Sequence, residues 1–455
     1  MAIFFVVFAI FNAQYNLINL PFFWDELGVY SRASIYLASH KLSILPNALP
    51  DELSRGHPIL IPFLFGSVLK IFGIKIVVFR FFALFLFTIG LFFIYKICIQ
   101  YVSKLESAAI LLLCAIQPVF LSQSILCFPE MPLMVCTLAA SYFFIVKKYV
   151  QLLVALCIAV LIKESALVIP IAFGISYYIL HPQRKNIYKA FAITLLPIAI
   201  FLLFLIVQKI QNGYYIFPLH ENLMDFDFVV IKNKLLLQLD FIFIDQGRFI
   251  LTLLVALSLI KGIYYKNISF GNPTLYISVL FIALGGLAFT AINYFLARYM
   301  QFFLMPILLY LLYFIVINNG RWLKLVSFAA IALFAILFTN NKKRFVDTDF
   351  AYINHVKTNE MAFNFLVENT LQTDTVAYNW PMVMNFWESN TGYQKPNSVA
   401  KELTQNNGLY SDYLVISHPG NNINIQNIKS NYIKIAQFTK GYAYVAIYKK
   451  KAANN

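Results

Sequence analysis

Charged residues are scarce in this chain. Asp, Glu, Lys and Arg make up 12% of its 455 residues, whereas hydrophobic residues make up 60% and aromatic residues 17%. Soluble domains contain about 45–50% apolar residues, and the mean hydropathy of this chain is +0.72. So little charge excludes an ordinary soluble protein, and the composition indicates an integral membrane protein.

Several familiar chemical motifs are missing as well. Cysteine occurs five times, always in or beside an apolar stretch, without a CxxC pair or the spacing of metal ligands, so we interpret the cysteines as packing residues. The sequence contains no Gly-rich phosphate loop, no HExxH run and no Ser/His/Asp grouping. These absences leave nucleotide chemistry without support.

What the chain has instead is a series of apolar runs, most of them of about 17–25 residues, the length that crosses a bilayer as a helix. The runs predict an all-α polytopic membrane protein with about eleven transmembrane helices in residues 1–340. We place these helices near residues 3–20, 76–98, 106–122, 130–146, 149–163, 165–181, 188–208, 248–264, 273–292, 299–318 and 322–340.

The net charge of +15 comes from Lys and Arg spread over short loops. Because they are not gathered on one face, binding of nucleic acid is not expected. The positive-inside rule places the five basic loops in the cytoplasm. They contain Lys96 and Lys104; Lys147 and Lys148; Arg184, Lys185 and Lys189; Lys261 and Lys266; and Arg321 and Lys324. The opposite connections should then face outward, and they include Glu130, Lys163 and Arg298.

The first outer loop is predicted to span residues 21–75 and to contain two helices that roof a cavity. One helix begins after an acid pair, in ELGVYSRASIYLA. The other, in residues 57–73, is apolar and nearly long enough to span the membrane. We interpret it as an interfacial or re-entrant helix, because a crossing there would reverse every later loop against the positive-inside rule.

Residues 341–455 differ in composition from the rest. They are polar and rich in Asn and Lys, with helical spacing in 350–370 and strand-like alternation in DTVAYNW, SDYLVIS, YIKIAQF and YAYVAIYK. The chain is therefore predicted to divide into a transmembrane part, 1–340, and a small soluble α/β domain, 341–455. The topology places that domain outside the cytoplasm.

Two adjacent acids, Asp25 and Glu26, follow the first apolar run. Acids at this place are suited to cap the next helix, since its N-terminal amides and dipole favour negative charge. A carboxylate held at the membrane surface is equally suited to act as a general base or to anchor a substrate. The local sequence leaves both interpretations open. Glu130, in CFPEMPLM, is a second outward-facing acid.

Basic residues lie at the same predicted level as these acids, namely Arg32, Arg55, Lys163 and Arg298. Each one alone is explained by a side chain that reaches the lipid headgroups. Together with the acids they suit a lipid phosphate, because guanidinium and ammonium groups stabilise phosphate oxygens. His57 is either a polar contact in the predicted cavity or an interfacial residue.

The order of these features resembles the GT-C membrane glycosyltransferases, specifically the bacterial branch related to protein O-mannosyltransferases and to the lipid A aminoarabinose transferase. The similarity rests on WDELGVYSRA, GHPILIPFLFGSVLKIFG, FPEMPLMVCTLAASYFF, LIKESALVIP and ARYMQFFLMPILL, within residues 1–320. Ile59 stands where many relatives have a second Pro, and Glu130 stands where Asp is more frequent. The terminal domain is predicted to lie outside the resemblance.

The resemblance implies the GT-C fold and inverting transfer of a sugar from a polyprenyl-phosphate donor. The acceptor would be lipopolysaccharide or lipid A, another glycan, or a protein. The implied location is the inner (plasma) membrane, with the active site and the terminal domain extracytoplasmic. No cofactor is implied as required; since some relatives use a divalent cation, the notional ligands here would be Asp25 and Glu130.

Residue roles are implied by matching position. Asp25 would be the catalytic base, Glu130 the second acid and Glu26 their support. Lys163 and Arg298 would bind the donor phosphate. Arg32 and Arg55 are weaker candidates for the phosphate, and His57 would contact the cavity.

Two other classes of membrane protein compete with this interpretation. In a transporter or lipid flippase, the polar residues of a polytopic bundle would mark a translocation path. That class predicts inverted repeats with discontinuous spans in two halves, whereas this sequence has one long, acid-bearing outer loop. A non-catalytic membrane scaffold would keep its function when Asp25 is changed.

Overall fold

The computed structural model describes residues 2–183, 186–221, 224–339, 347–370, 374–378, 382, 389–393, 411–418 and 431–451. Most of this part is helical. Its helices are α1 (Ala2–Gln14), α2 (Ser31–Ser39), α3 (Asp51–Ser54), α4 (Leu60–Phe72), α5 (Ile76–Cys98), α6 (Lys104–Ala115), α7 (Pro118–Gln123), α8 (Glu130–Ile145), α9 (Tyr149–Val160), α10 (Val168–Leu180), α11 (Ile187–Asn212), α12 (Pro218–Glu221), α13 (Phe228–Phe243), α14 (Arg248–Tyr264), α15 (Pro273–Ile292), α16 (Gln301–Asn318), α17 (Arg321–Thr339) and α18 (Tyr352–Asn369).

Six helical stretches in the described part of the chain are long and apolar enough to cross a membrane. They are Ile76–Cys98, Ile187–Asn212, Phe228–Tyr264, Pro273–Ile292, Ala297–Asn318 and Arg321–Thr339. Shorter apolar helices accompany them, and each predicted apolar run coincides with helical residues. The chain is a multi-pass membrane protein. Arg184 and Lys185, which helped to orient one predicted loop, lie outside the described residues.

One long helix was not predicted from the sequence. α13 precedes α14, and the short turn Asp245–Gly247 separates the two. Lys232, Lys234 and Asp240 interrupt the apolar run of α13, so its hydropathy is weak. The helix is stabilised by packing against α14 and α15, which the linear sequence does not show.

The two helices predicted in the first outer loop are both present. A π-helical turn, Glu26–Tyr30, leads into α2, and α2 packs along α4. Gly66 permits this approach, because a Cβ atom there would lie 2.9 Å from the carbonyl oxygen of Ser34. α4 has 13 residues, about 20 Å of helix, which is shorter than the hydrocarbon core of about 30 Å. Its interfacial position stays a prediction.

The terminal part combines α18 with a four-stranded sheet, as predicted. The strands are β1 (Val376–Ala377), β2 (Tyr413–His418), β3 (Tyr432–Lys440) and β4 (Ala443–Lys450). Their order is β1-β2-β4-β3; β1 pairs with β2 in parallel, and the other pairs are antiparallel. α18 packs against β3 and β4. The predicted boundary at 340/341 falls within residues that are not described, so it stays a prediction.

The terminal part packs directly on the first outer loop, and both contribute to one hydrophobic core. The Phe22 amide donates to the Thr391 carbonyl at 3.0 Å, and the Tyr393 hydroxyl donates to the Phe22 carbonyl at 3.2 Å. The ring of Phe23 lies 5.8 Å from that of Tyr352 in α18. These contacts fix the loop at the residues that immediately precede Asp25.

Candidate active site

Asp25 lies at the start of the π-helical turn but does not cap it, since its side chain makes no hydrogen bond to the amides of that turn. The residue before it, Trp24, has a φ of +50°, a strained conformation for a bulky side chain of a kind that clusters at functional sites. The Asp25 carboxylate accepts a hydrogen bond from Nη2 of Arg298 instead. The capping interpretation is therefore wrong, and the acid belongs to a cluster of charges.

Arg298 is the centre of this cluster. It lies in the 3₁₀ turn Ala297–Met300, which leads into α16, and it is 2% exposed. Besides Asp25, its guanidinium donates from Nη1 to the carboxylate of Asp347. Its Nε atom lies 3.9 Å from Oε1 of Glu130. Three carboxylates from distant parts of the chain thus surround one guanidinium.

Lys163 is the second cation of the cluster. Its Nζ donates to Oε1 of Glu130 at 2.7 Å and lies 3.6 Å from the ring centroid of Tyr299. Burial lowers the pKa of Lys163, but the neighbouring groups, with the charge of Glu130 first among them, together outweigh burial, and the net pKa is raised. The ammonium group therefore keeps its proton at neutral pH. Glu130, as the first residue of α8, holds Lys163 in place.

Two buried polar atoms of the cluster have no hydrogen-bond partner among the described residues. They are Nε of Arg298, a donor, and Oε2 of Glu130, an acceptor. Orphaned polar atoms of this kind are costly in a protein interior and mark a place where a ligand or water completes the site. A further polar group, from water or from a ligand, would satisfy both atoms.

Asp347 was not predicted as a site residue. It follows α17 in the chain and is 5% exposed. Its carbonyl oxygen accepts hydrogen bonds from Oγ of Ser122 at 3.1 Å and from Nε2 of Gln123 at 2.5 Å. Burial raises the pKa of the Asp347 carboxyl, and Arg298 only partly opposes this rise. An Asp-Thr-Asp run, separated by six residues from the last apolar segment, 322–340, was its signal in the sequence.

Glu26 lies beside the cluster and faces the protein interior. Its Oε1 accepts hydrogen bonds from Nη1 of Arg80 at 2.5 Å and from the Cys127 amide at 2.7 Å, and the residue is 0% exposed. Arg80 also donates to the carbonyls of Leu20 and Ile125, each at 3.0 Å. Glu26 thus joins the first outer loop to α5 and to the segment before Glu130, directly beside Asp25.

A cavity of about 440 Å³ adjoins the cluster. Lys163 and Tyr299 form part of its wall next to the cluster. His57 and Pro58, from the predicted roof, also line it. The remaining wall is largely apolar and includes Leu167, Phe201, Leu205, Ile216, Phe217, Met224 and Phe289. The cavity therefore offers a charged end and an apolar body to one ligand.

His57 and two further polar residues line the same cavity. Nδ1 of His57 lies 3.0 Å from Oε2 of Glu164, so the imidazole donates to this carboxylate. The ring of His220 lies 4.7 Å from that of His57. Burial, and next the neighbouring His57, lower the pKa of His220 to about 4. His220 is therefore neutral at physiological pH.

The fold and part of the sequence match known proteins. The structure is similar to crystal structures of ArnT from Cupriavidus metallidurans, at 10% identity in each case. For ArnT bound to undecaprenyl phosphate, the TM-score is 0.59 over 98% of this chain and 97% of that chain. For the apo state it is 0.57 over 96% and 97%. The chain has the GT-C fold. Residues 56–210 also match the family described as dolichyl-phosphate-mannose-protein mannosyltransferase, whereas no curated protein sequence matches the chain.

The GT-C resemblance inferred from short motifs is confirmed, and one detail is corrected. The motifs placed the similarity within residues 1–320 and left the terminal part outside it. The structural similarity covers 98% of the chain, so the GT-C likeness in fold includes the terminal part. A small sheet domain diverges in sequence while its fold is kept, because alternation of apolar residues is enough to maintain strands.

The contacts described above for Arg298 and Lys163 do not involve the other two predicted basic residues, Arg32 and Arg55. Nη1 of Arg32 donates to the carbonyl of Gly28 at 3.4 Å, within its own helical turn. Arg55 ends α3 in a left-handed conformation, with a φ of +46°. It lies close enough to His220 to influence the pKa of that residue, on the cavity side of the site. A role at the donor phosphate stays a prediction for both.

The residues present do not offer a divalent cation a ligand set. Asp25 is bound to Arg298 and Glu130 to Lys163, and no three His, Cys, Asp or Glu side chains of the described residues gather closely enough to hold a metal ion. Since a guanidinium adjoins both acids, a cation there would meet strong repulsion. Binding of a divalent cation between Asp25 and Glu130 stays a prediction.

Proposed function

We propose that this protein transfers a sugar from a polyprenyl-phosphate-linked donor to an acceptor outside the cytoplasm. The observation that carries the proposal is the position of a carboxylate and two buried cations beside a large apolar cavity. Asp25 supplies a base, Arg298 and Lys163 supply positive charge, and the apolar wall suits a lipid chain. The fold shared with ArnT, which has been crystallised with undecaprenyl phosphate, supports the same donor class.

The chemistry follows from the leaving group. A lipid phosphate is already a good leaving group, so the reaction needs activation of an acceptor hydroxyl and stabilisation of the departing phosphate. Asp25 takes the proton of the hydroxyl, which typically contributes about 10²–10⁴-fold to a rate. The hydroxyl oxygen forms its bond to the anomeric carbon while the bond to the phosphate oxygen breaks. This single displacement inverts the anomeric configuration.

Arg298 and Lys163 stabilise the negative charge that develops on the phosphate, in a site from which water is largely excluded. The unpartnered Nε of Arg298 is a donor for a phosphate oxygen. Oε2 of Glu130 is an acceptor for a hydroxyl of the sugar or acceptor. Phosphate bound at Arg298 also shares its positive charge, which weakens the attraction between the guanidinium and the Asp25 carboxylate. No cofactor is needed for these steps.

The donor lies with its phosphate at Lys163 and its lipid along the apolar wall of the cavity. The acceptor is a glycolipid such as lipid A, another glycan, or a protein. By the distribution of basic loops, the active site and the terminal domain face away from the cytoplasm, and the protein resides in the inner (plasma) membrane. Transfer to an extracytoplasmic acceptor requires this orientation.

The proposal is tested by mass spectrometry of surface glycolipids and glycoproteins from cells with and without the protein. Cells that carry the wild type should contain a sugar that is missing in its absence and in cells that carry Asp25→Asn. Immunoblotting of membranes controls for equal amounts of protein. Identical glycan profiles in all three strains would contradict the proposal. A lipid that changes membrane leaflet without a change of glycan would favour a flippase.

A further inference from the structure

The guanidinium of Arg298 is enclosed on its faces and at both terminal nitrogens. The rings of Phe128 and Tyr299 lie over it, with centroids 4.6 and 5.3 Å from Cζ. Asp25 and Asp347 each take one terminal nitrogen. Only Nε is left without a hydrogen bond from the described residues. A phosphate that binds Arg298 through two nitrogens therefore uses one nitrogen that already holds a carboxylate, which brings the two anions close together.

Charge balance favours displacement of one of these carboxylates. Three carboxylates, those of Asp25, Glu130 and Asp347, face two cations, Arg298 and Lys163. With all five groups ionised, the cluster has one negative charge in excess. A lipid phosphate adds at least one more in a poorly hydrated site, where repulsion between like charges is strong. One of the three acids must therefore move away or lose its charge when the phosphate enters.

Of the three acids, Asp347 is the one whose carboxylate can most readily leave Arg298. Glu130 is held by Lys163 at 2.7 Å, and Asp25 must stay beside the acceptor as the base. The carboxylate of Asp347 is bound by Arg298 alone among the described residues. Its backbone is anchored through its carbonyl to Ser122 and Gln123, so the side chain is able to turn while the segment stays in place. Burial already favours the neutral form of this acid.

We propose that Asp347 gates the donor-phosphate site: its carboxylate occupies Arg298 when no donor is bound and yields the guanidinium to the donor phosphate. The inference rests on the donor class proposed above. Asp347 is then a positioning residue that sets the affinity for the donor. The conformation of its side chain, at the start of the terminal part, depends on whether a donor is bound.

The test measures the dissociation constant of undecaprenyl phosphate for the full-length protein in nanodiscs. Asp347→Asn keeps the shape of the side chain and removes its charge, so binding should become tighter by about tenfold or more. Asp347→Glu keeps the charge and should bind like the wild type. Asp347→Ser is a second neutral variant in case the amide disturbs folding, and it should also bind more tightly. The donor KM should fall in parallel in both neutral variants.

Asp349→Asn is the matched control, because Asp349 lies two residues away and accepts a hydrogen bond from the Ala351 amide at 2.7 Å. It should leave the affinity unchanged. Unchanged or weaker binding in both neutral variants, with normal binding by the wild type, would overturn the gate and leave the donor site intact. Failure of the wild type and of the neutral variants to bind the lipid phosphate would overturn both the gate and the proposed donor.

Discussion

Arg298 donates a hydrogen bond to Asp25 across 273 positions of the chain. The pair joins the loop after α1 to the turn that leads into α16. Only the tertiary fold brings the two residues together. The proposed base and the proposed phosphate-binding cation therefore form one unit.

Asp25→Asn should lower the transfer rate by about 10²–10⁴-fold, because the amide cannot accept a proton from the acceptor hydroxyl. Initial rates with a labelled polyprenyl-phosphate sugar measure the effect. Asp51→Asn is the matched control, since Asp51 is an exposed acid of the same loop that accepts a hydrogen bond from Tyr214 at 2.6 Å. Full activity of Asp25→Asn would show that another group is the base.

Arg298→Lys should raise the donor KM by about tenfold or more, because an ammonium group cannot replace a planar fork that binds phosphate through two nitrogens. The same conservative change at Arg321 is the control. Arg321 is the exposed first residue of α17 and lies in a loop predicted to be cytoplasmic, so its variant should keep the wild-type donor dependence. An unchanged donor KM in Arg298→Lys would show that Arg298 does not bind the phosphate.

Glu26→Gln should destabilise the protein by about 3–5 kcal/mol, because it leaves the buried Arg80 without its charge partner. Activity per folded molecule should change little. Denaturation in detergent, followed by tryptophan fluorescence, measures the stability. Glu106→Gln is the comparison, since Glu106 pairs with Lys324 at 2.5 Å where both side chains are about a quarter exposed; it should cost less than about 1 kcal/mol. A stable but inactive Glu26→Gln protein would instead indicate a direct catalytic role.

Leu205→Trp should weaken donor binding by about tenfold or more, because Leu205 lines the cavity and an indole there takes space that the lipid needs. Leu203→Trp is the control from the same helix, where the side chain is 60% exposed. A titration with undecaprenyl phosphate compares the two variants. Equal affinities would mean that the lipid lies elsewhere.

Protein stability should fall as the pH decreases from about 6.5 to about 4, because of His220. The pKa of this residue is about 4 in the folded protein, against an ordinary value of 6.5. In this window the unfolded chain takes up a proton that the folded protein does not, so acid favours unfolding. Thermal unfolding at pH 7.5 and pH 5 measures the effect. His220→Gln should reduce the difference between the two values, and an undiminished difference would assign the acid sensitivity to other groups.

The hydrophobic pattern determined much of the fold. Apolar runs such as 76–98 are helices because a stretch of this length in a membrane must satisfy its backbone hydrogen bonds within itself. The alternation in YIKIAQF and YAYVAIYK likewise specified β3 and β4. α13 was not predicted because its charged residues lower its hydropathy. The helix is stabilised by tertiary packing, which the hydrophobic pattern does not show.

The candidate site was likewise predicted in part from the sequence. The sequence alone identified Asp25, Glu130, Lys163 and Arg298 as candidates, since ionisable residues near apolar spans are few and motif order added a role for each. Only the tertiary structure decided that Glu26 pairs with Arg80, that Arg32 donates within its own turn, and that Asp347 joins Arg298. The physical reason is that a buried charge needs a partner. The identity of that partner depends on how distant segments of the chain pack together. A local sequence pattern does not contain this information.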